Sequence, residues 1–209
     1  MCKYKKSWYI FVVTLSVGYV KIVKTELIRK SIHFLIALSP VMASFNISLT
    51  LAVLAIGILS FIYFESLRNR GISVPLISSL TAMASRVRDE GRFVMGPVTL
   101  GLGAFFALSL YPLEAASIAI YALAFGDGFA GIAGKILGRT RPAFLFGKSF
   151  EGSLACFFAV FIASWKVCQN LPMSLASAFT ATAVEALPLE DFDNVILPLA
   201  VGLVISLKP

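Results

Sequence analysis

Apolar runs of membrane-crossing length recur along this chain, and they constrain its fold more than any other feature. A transmembrane helix needs about 20 mostly apolar residues. Such runs cover Ser7–Val23, Ser31–Asn46, Leu49–Phe64, Phe93–Tyr111, Ala115–Leu137, Gly152–Val167, Met173–Leu187 and Val195–Leu207. A soluble fold would leave too much of this surface facing water. Only 14% of the 209 residues are charged, against roughly 25% in soluble domains. Low-complexity and heptad patterns are missing, which removes disorder, collagen and coiled coil. The expected fold is all-α: one integral membrane domain over 1–209, a polytopic helical bundle of about seven or eight transmembrane helices. Residues 1–25 would form an N-terminal span, since no small-residue cleavage site follows Ser7–Val23 and lysines do.

Basic residues orient the bundle. With the N-terminus outside, the inner connections hold thirteen of the 18 Lys and Arg, in the groups Lys21 to Lys30, Arg68 to Arg92 and Lys135 to Lys148. Lys3, Lys5 and Lys6 vote the other way. Ten of the 11 acids, all but Glu114, also fall at the inner face. Acids contribute little to topology, so their one-sidedness suggests a metal and polyphosphate site facing the cytoplasm. The net charge of +7 then fits cytoplasmic loops, anionic headgroups and phosphorylated substrates rather than nucleic acid. The cysteines Cys2, Cys156 and Cys168 have no metal or redox spacing, and a single histidine argues against zinc.

Gly126-Asp127-Gly128-Phe129-Ala130-Gly131 spells GxGxxG, but inside a membrane helix it is no dinucleotide fingerprint. With Gly134 and Gly138 it forms a small-residue face suited to close helix packing, within the chain or in a homodimer. Packing does not explain Asp127. It lies 13 residues past Glu114, about 20 Å along a helix. Unpaired, it would cost roughly 2.5–3.5 kcal/mol; it needs a cation, a proton or a water-filled cavity.

Gly147-Lys148-Ser149-Phe150-Glu151-Gly152-Ser153 is not a P-loop, because Pro142 stands where that motif needs glycine. Its turn into a helix nevertheless suits an anion, with free N–H groups and Lys148; the plainer reading is a juxtamembrane turn. Glu26, Lys30 and His33 share one helical face with Arg29 beside it, as a phosphate cradle would. Glu65 and Arg68 form an i, i+3 pair worth a few tenths of a kcal/mol if nothing more. Glu185, Glu190, Asp191, Asp193 and Asn194 offer the hard oxygen ligands that Mg²⁺ prefers.

Taken in order, Arg29-Lys30-x-x-His33, Gly126-Asp127-Gly128-x-Ala130, Gly138-Arg139, Lys148-Ser149-x-Glu151-Gly152-Ser153 and Asp193-Asn194-x-x-x-Pro198 resemble the CTP-dependent lipid-alcohol kinases. Dolichol (polyprenol) kinase, phytol kinase and the yeast-type diacylglycerol kinase make up that family. The middle motifs are shared with phosphatidate cytidylyltransferases, whose C-terminal signature is missing. The resemblance covers residues 26–198 as a catalytic core. It implies phosphoryl transfer from CTP, as co-substrate with Mg²⁺, to the hydroxyl of a membrane lipid at the inner face of the cell membrane. Asp127, Asp193 and Glu151 would serve Mg²⁺, with Asn194 in support. Arg29, Lys30, Arg139 and Lys148 would hold the triphosphate, beside Gly126, Gly128, Ser149, Gly152 and Ser153. The base stays open between Asp127, Glu65 and His33. Asp127→Asn is expected to abolish turnover and leave the protein folded. Rival readings are cytidylyl transfer to phosphatidic acid and a small ion-coupled transporter.

Overall fold

A computed structural model of the protein describes residues 23–72 and 92–207. The expected span Ser7–Val23 (all but its last residue), the Lys3–Lys6 cluster, Lys21 and the loop with Arg86, Arg88, Asp89 and Glu90 lie outside the described residues.

Among the described residues the chain is helical throughout, without a strand. Helix α1 covers residues 23–36 and α2 Ser39–Phe45, which opens on Pro40 in its first turn. Asn46 then caps α3 (Ile47–Asn69) by accepting from the Leu49 N–H at 2.9 Å. Helix α4 (Gly96–Leu110) and α5 (Leu113–Tyr121) follow, and α5 runs through a π-helical turn, Ala122–Asp127, into α6 (Gly128–Ile136). A 3₁₀ turn at Ala143–Leu145 leads to α7 (Phe150–Cys168), α8 (Leu171–Ala186) and α9 (Asp193–Ser206).

Val23–Phe45, Ile47–Asn69, Leu113–Ile136 and Phe150–Cys168 are long and apolar enough to cross a membrane. Gly96–Leu110 and Asp193–Ser206 are apolar but shorter, rising about 21–23 Å against a hydrocarbon core of about 30 Å. The described residues therefore hold four candidate spans, fewer than the apolar runs suggested. Run length in the sequence registers hydrophobicity, whereas a crossing helix must also be long enough, and turns cut several of the runs into shorter helices.

Leu113–Ile136 is the central helix: 67% of its 18-residue apolar stretch is buried inside the protein, against 11% of the corresponding stretch of Ile47–Asn69. Small side chains let the others approach it. Ala104, Ala107, Ala116, Ala119, Ala122, Ala178 and Ala181 are completely buried, with Ile118, Leu123 and Val201 filling between them. Large apolar side chains such as Leu35, Phe45, Ile56, Leu59 and Phe179 point outward, as lipid-facing positions should. Pro198 inside α9 has no N–H to give to the Asn194 carbonyl, and α4 passes against that carbonyl at Gly103, where any Cβ would collide with it. Tyr111 closes the same face by donating its hydroxyl to the Leu199 carbonyl at 2.7 Å. These contacts bring the first residues of α9 beside the middle of the central helix.

Candidate active site

Asp127 ends the π-helical turn of the central helix. One extra residue in such a turn shifts the face on which the following side chain lies, and π turns are frequent at functional sites. The Asp127 carboxylate meets α1. Lys30 donates to its Oδ2 at 2.5 Å, and His33 Nδ1 lies 3.0 Å from the same oxygen, without hydrogen-bond alignment. All three residues are buried. Arg29, one residue before Lys30, bonds Glu26 at 2.6 Å. The glycines make this approach feasible. A Cβ on Gly128 would lie 2.5 Å from the Phe34 ring, and one on Gly131 would lie 2.4 Å from Lys30 Cε. On the other side of the helix, Gly152 of α7 is pressed against the Ala130 carbonyl and Gly134. The GxGxxG letters thus serve helix packing. Of the two uses open to the small-residue face, packing within the chain is the one these contacts show.

The start of α9 faces the same charges. Asp193, half-buried, lies in the electrostatic field of Asp127, Lys30, Lys148 and Arg29. From the loop before α7, Lys148 reaches the C-terminal turn of α8. There its ammonium bonds Glu185 Oε1 at 2.9 Å and donates to the Glu185 backbone carbonyl. Cys156 of α7 feels Glu185, Asp127 and Lys148 together. The structure therefore gathers Arg29, Lys30, His33, Asp127, Lys148 and Asp193, and pairs two of these cations with Glu26 and Glu185, acids the sequence had also singled out. Glu185 stood in the sequence as one acid of a run; its lysine, 37 residues away, left no local signal.

Other expectations change. The N–H groups opening α7 are already used: Phe150 donates to the Thr140 carbonyl at 2.9 Å, Gly152 to Ser149 Oγ at 3.1 Å and Ser153 to the Ser149 carbonyl at 3.1 Å. Ser149 is a helix cap, and these three N–H groups are committed within the chain. Glu151 accepts from the Thr140 N–H at 3.1 and 3.3 Å, holding the loop instead of turning toward Asp127. Ser153 Oγ is buried without a partner, and Arg139 is exposed. Asn194 gives its amide to Thr99 Oγ1 at 3.0 Å, so it fixes α9 to α4. Glu65 is completely buried. It takes two bonds from Arg68, at 2.7 and 2.5 Å, and one from the Val94 N–H at 2.9 Å. That network is far more than a simple surface pair, and its oxygens are spent on joining α3 to the approach of α4.

Among the described residues no three His, Cys, Asp or Glu side chains gather to hold a metal, so the trio Asp127, Asp193 and Glu151 is not assembled. Mg²⁺ that arrives with a nucleotide needs only one or two carboxylates, with water and phosphate completing its shell. Asp127 and Asp193 are carboxylates of the kind that smaller demand asks for, and Asp193 lies in the field of Asp127. Buried polar atoms without a hydrogen-bond partner occur at both signs of charge in this region: Arg29 Nε and His33 Nδ1 on one side, Glu185 Oε2 on the other. An apolar groove of about 430 Å³ between α6 and α7 starts at Phe129 and continues past Ile132, Ala133, Ile136, Ala155 and Ala159.

No protein-family model matches the chain, and no solved structure does. Two curated proteins are similar to it. The first is described as "Probable phytol kinase 1, chloroplastic" from Oryza sativa subsp. japonica. It is 34% identical over 91 residues, which are 36% of this chain and 29% of that protein. The second is a phytol kinase from Synechocystis sp., 28% identical over 165 residues, 71% of this chain and 66% of that one. The chain spans less than a third of the length of the first relative and about two thirds of the second. These similarities to phytol kinases support the lipid-alcohol kinase family that the motifs resemble.

Proposed function

We propose that this membrane protein is a lipid-alcohol kinase, transferring the γ-phosphoryl group of a nucleoside triphosphate, CTP, to the hydroxyl of a membrane lipid. Phytol is the first acceptor to try because both relatives are described as phytol kinases; a polyprenol and diacylglycerol follow from the motifs. One observation carries the reading: buried cations and carboxylates from α1, the central helix, α8 and α9 converge in an otherwise apolar bundle. Intramembrane ionisable groups mark function by default, and phosphoryl transfer asks mainly for positioning and charge neutralisation.

In this reading the lipid oxygen attacks the γ-phosphorus, the bond to the β-phosphate oxygen breaks, and the hydroxyl proton passes to a base or to water. Lys148, Arg29 and Lys30 attract the triphosphate. Asp127 and Asp193 would hold Mg²⁺, which supplies neutralisation of the phosphate oxygens when bound. His33 and Asp127 are the base candidates inside the cluster; Glu65 lies in its own network. The apolar groove beginning at Phe129, two residues from Asp127, suits the hydrocarbon chain of the acceptor. The distribution of basic residues supports placing this cluster at the cytoplasmic face of the cell membrane.

The test is purified protein in lipid nanodiscs with Mg²⁺, labelled nucleotides in turn and a panel of lipid alcohols. Label from γ-labelled CTP appearing in phytol or another alcohol supports the reading. Label from α-labelled CTP entering phosphatidic acid would replace it with cytidylyl transfer, and flux without nucleotide would replace it with transport.

A further inference from the structure

Lys148 precedes the cap residue of α7, and its side chain is 30% exposed. Its partner Glu185 is 7% exposed, so the acid is the anchor and the lysine the arm. We propose that Glu185 is a positioning residue of the nucleotide site, fixing the Lys148 ammonium where it meets the phosphates. The proposal rests on the kinase reading above. A lysine ammonium has three hydrogens. Glu185 engages it through Oε1 and through its own backbone carbonyl, which by count leaves one N–H for an anion. A lysine stem left loose must be ordered when it binds, and a side chain held in advance saves that cost.

Three observations set this pair apart from an ordinary ion pair at a helix end. Glu185 Oε2 is buried with no hydrogen-bond partner, so no wider hydrogen-bond network at that oxygen explains the acid. The partner carbonyl lies in the last turn of α8, where the negative end of the helix adds to the attraction. The pair also acts on Cys156 together with Asp127, and Lys148 acts on Asp193. Pulling Lys148 fully away would strand a buried carboxylate, a large penalty. Lys148 therefore binds phosphate while still held by Glu185.

A double-mutant cycle tests this in nanodiscs, with direct binding of labelled CTP and steady-state kinetics for Glu185→Gln, Lys148→Ala and the pair. Glu185→Gln should raise the nucleotide Kd and KM about tenfold, with a smaller change in kcat and in the lipid KM. In the Lys148→Ala background the same change should alter the nucleotide KM by less than about twofold. Nucleotide binding by Glu185→Gln equal to wild type, or effects that add in the double variant, would overturn the proposal. Should Glu185→Gln fail to fold, Glu185→Asp keeps the charge and withdraws it by one methylene; an intermediate KM is expected, and a wild-type KM counts against the proposal. Wild-type protein that binds no nucleoside triphosphate refutes the kinase reading itself, whereas equal binding with and without Glu185 refutes this inference alone.

Discussion

Lys30 and Asp127, 97 residues apart in the chain, form a 2.5 Å ion pair in which the lysine is 1% and the aspartate 8% exposed. The pair changes what an Asp127 variant reports. Removing the carboxylate leaves Lys30 either charged without a partner or forced to give up its proton, at about 3–5 kcal/mol of stability. Asp127→Asn is therefore expected to lose both phosphoryl transfer and thermal stability, not activity alone. Lys30→Met combined with Asp127→Asn should recover most of the stability and none of the turnover. Melting curves in detergent beside the kinase assay separate the two effects; a double variant that melts no higher than Asp127→Asn would show that the ion pair is not what stabilises this region.

How the sequence prepared for this site differs residue by residue. Lys30 and His33 share a helical face by spacing alone, and Asp127 is conspicuous because a carboxylate inside an apolar run needs a partner. Which partner it finds is a tertiary fact. Lys30 and Lys148 were both expected on phosphate; Lys30 is found on Asp127 and Lys148 on Glu185. Glu151 and Ser149 looked like ligands, but a loop entering a helix has its own orphan N–H groups to satisfy, and these two residues do so. The π turn at Ala122–Asp127 left no mark in the apolar pattern, since small and apolar residues fit a π turn as well as an α turn. The all-helical membrane character was plain from the runs, whereas which helices are long enough to cross depended on where turns break the runs.

Glu65 gives a second prediction, because its three accepted bonds assign it to structure. Glu65→Gln weakens the Arg68 pair and turns a charge-assisted bond into a neutral one, costing about 1–3 kcal/mol. Extracted protein should melt earlier, while the folded fraction keeps its kcat. A kcat loss of a hundredfold or more, on the scale of a lost general base, would return Glu65 to the catalytic set.

The close approach of α6 to α1 can be tested at one atom. A Cβ on Gly131 would stand 2.4 Å from Lys30 Cε and 2.6 Å from Glu26 Oε1. Both neighbours belong to the charged cluster: Lys30 is proposed to attract phosphate, and Glu26 holds Arg29, which is proposed to do the same. Gly131→Ala should cost about 1–3 kcal/mol by overpacking and lower phosphorylation by displacing Lys30 from Asp127. Gly57, in the middle of α3 with open space around it, is the control: Gly57→Ala should melt no earlier than wild type. Equal behaviour of the two variants would mean that α6 and α1 do not pack as closely as the structure has them.

Asn194 carries the last prediction. Its amide donates to Thr99 Oγ1 at 3.0 Å, and the residue before it, Asp193, is the second carboxylate proposed to hold Mg²⁺. If Asn194 contacts nucleotide directly, Thr99 should be dispensable. If it acts by holding the start of α9, losing either partner should have the same effect. Thr99→Val keeps the side-chain shape and removes the acceptor, at about 0.5–1.5 kcal/mol for a neutral hydrogen bond and more when the amide is left unpaired. Thr99→Val and Asn194→Ala should then raise the Mg²⁺ concentration needed for half-maximal activity by similar factors, with no further rise when combined. A Thr99→Val enzyme with a wild-type Mg²⁺ requirement, beside an impaired Asn194→Ala, would move Asn194 from holding the helix to touching the substrate.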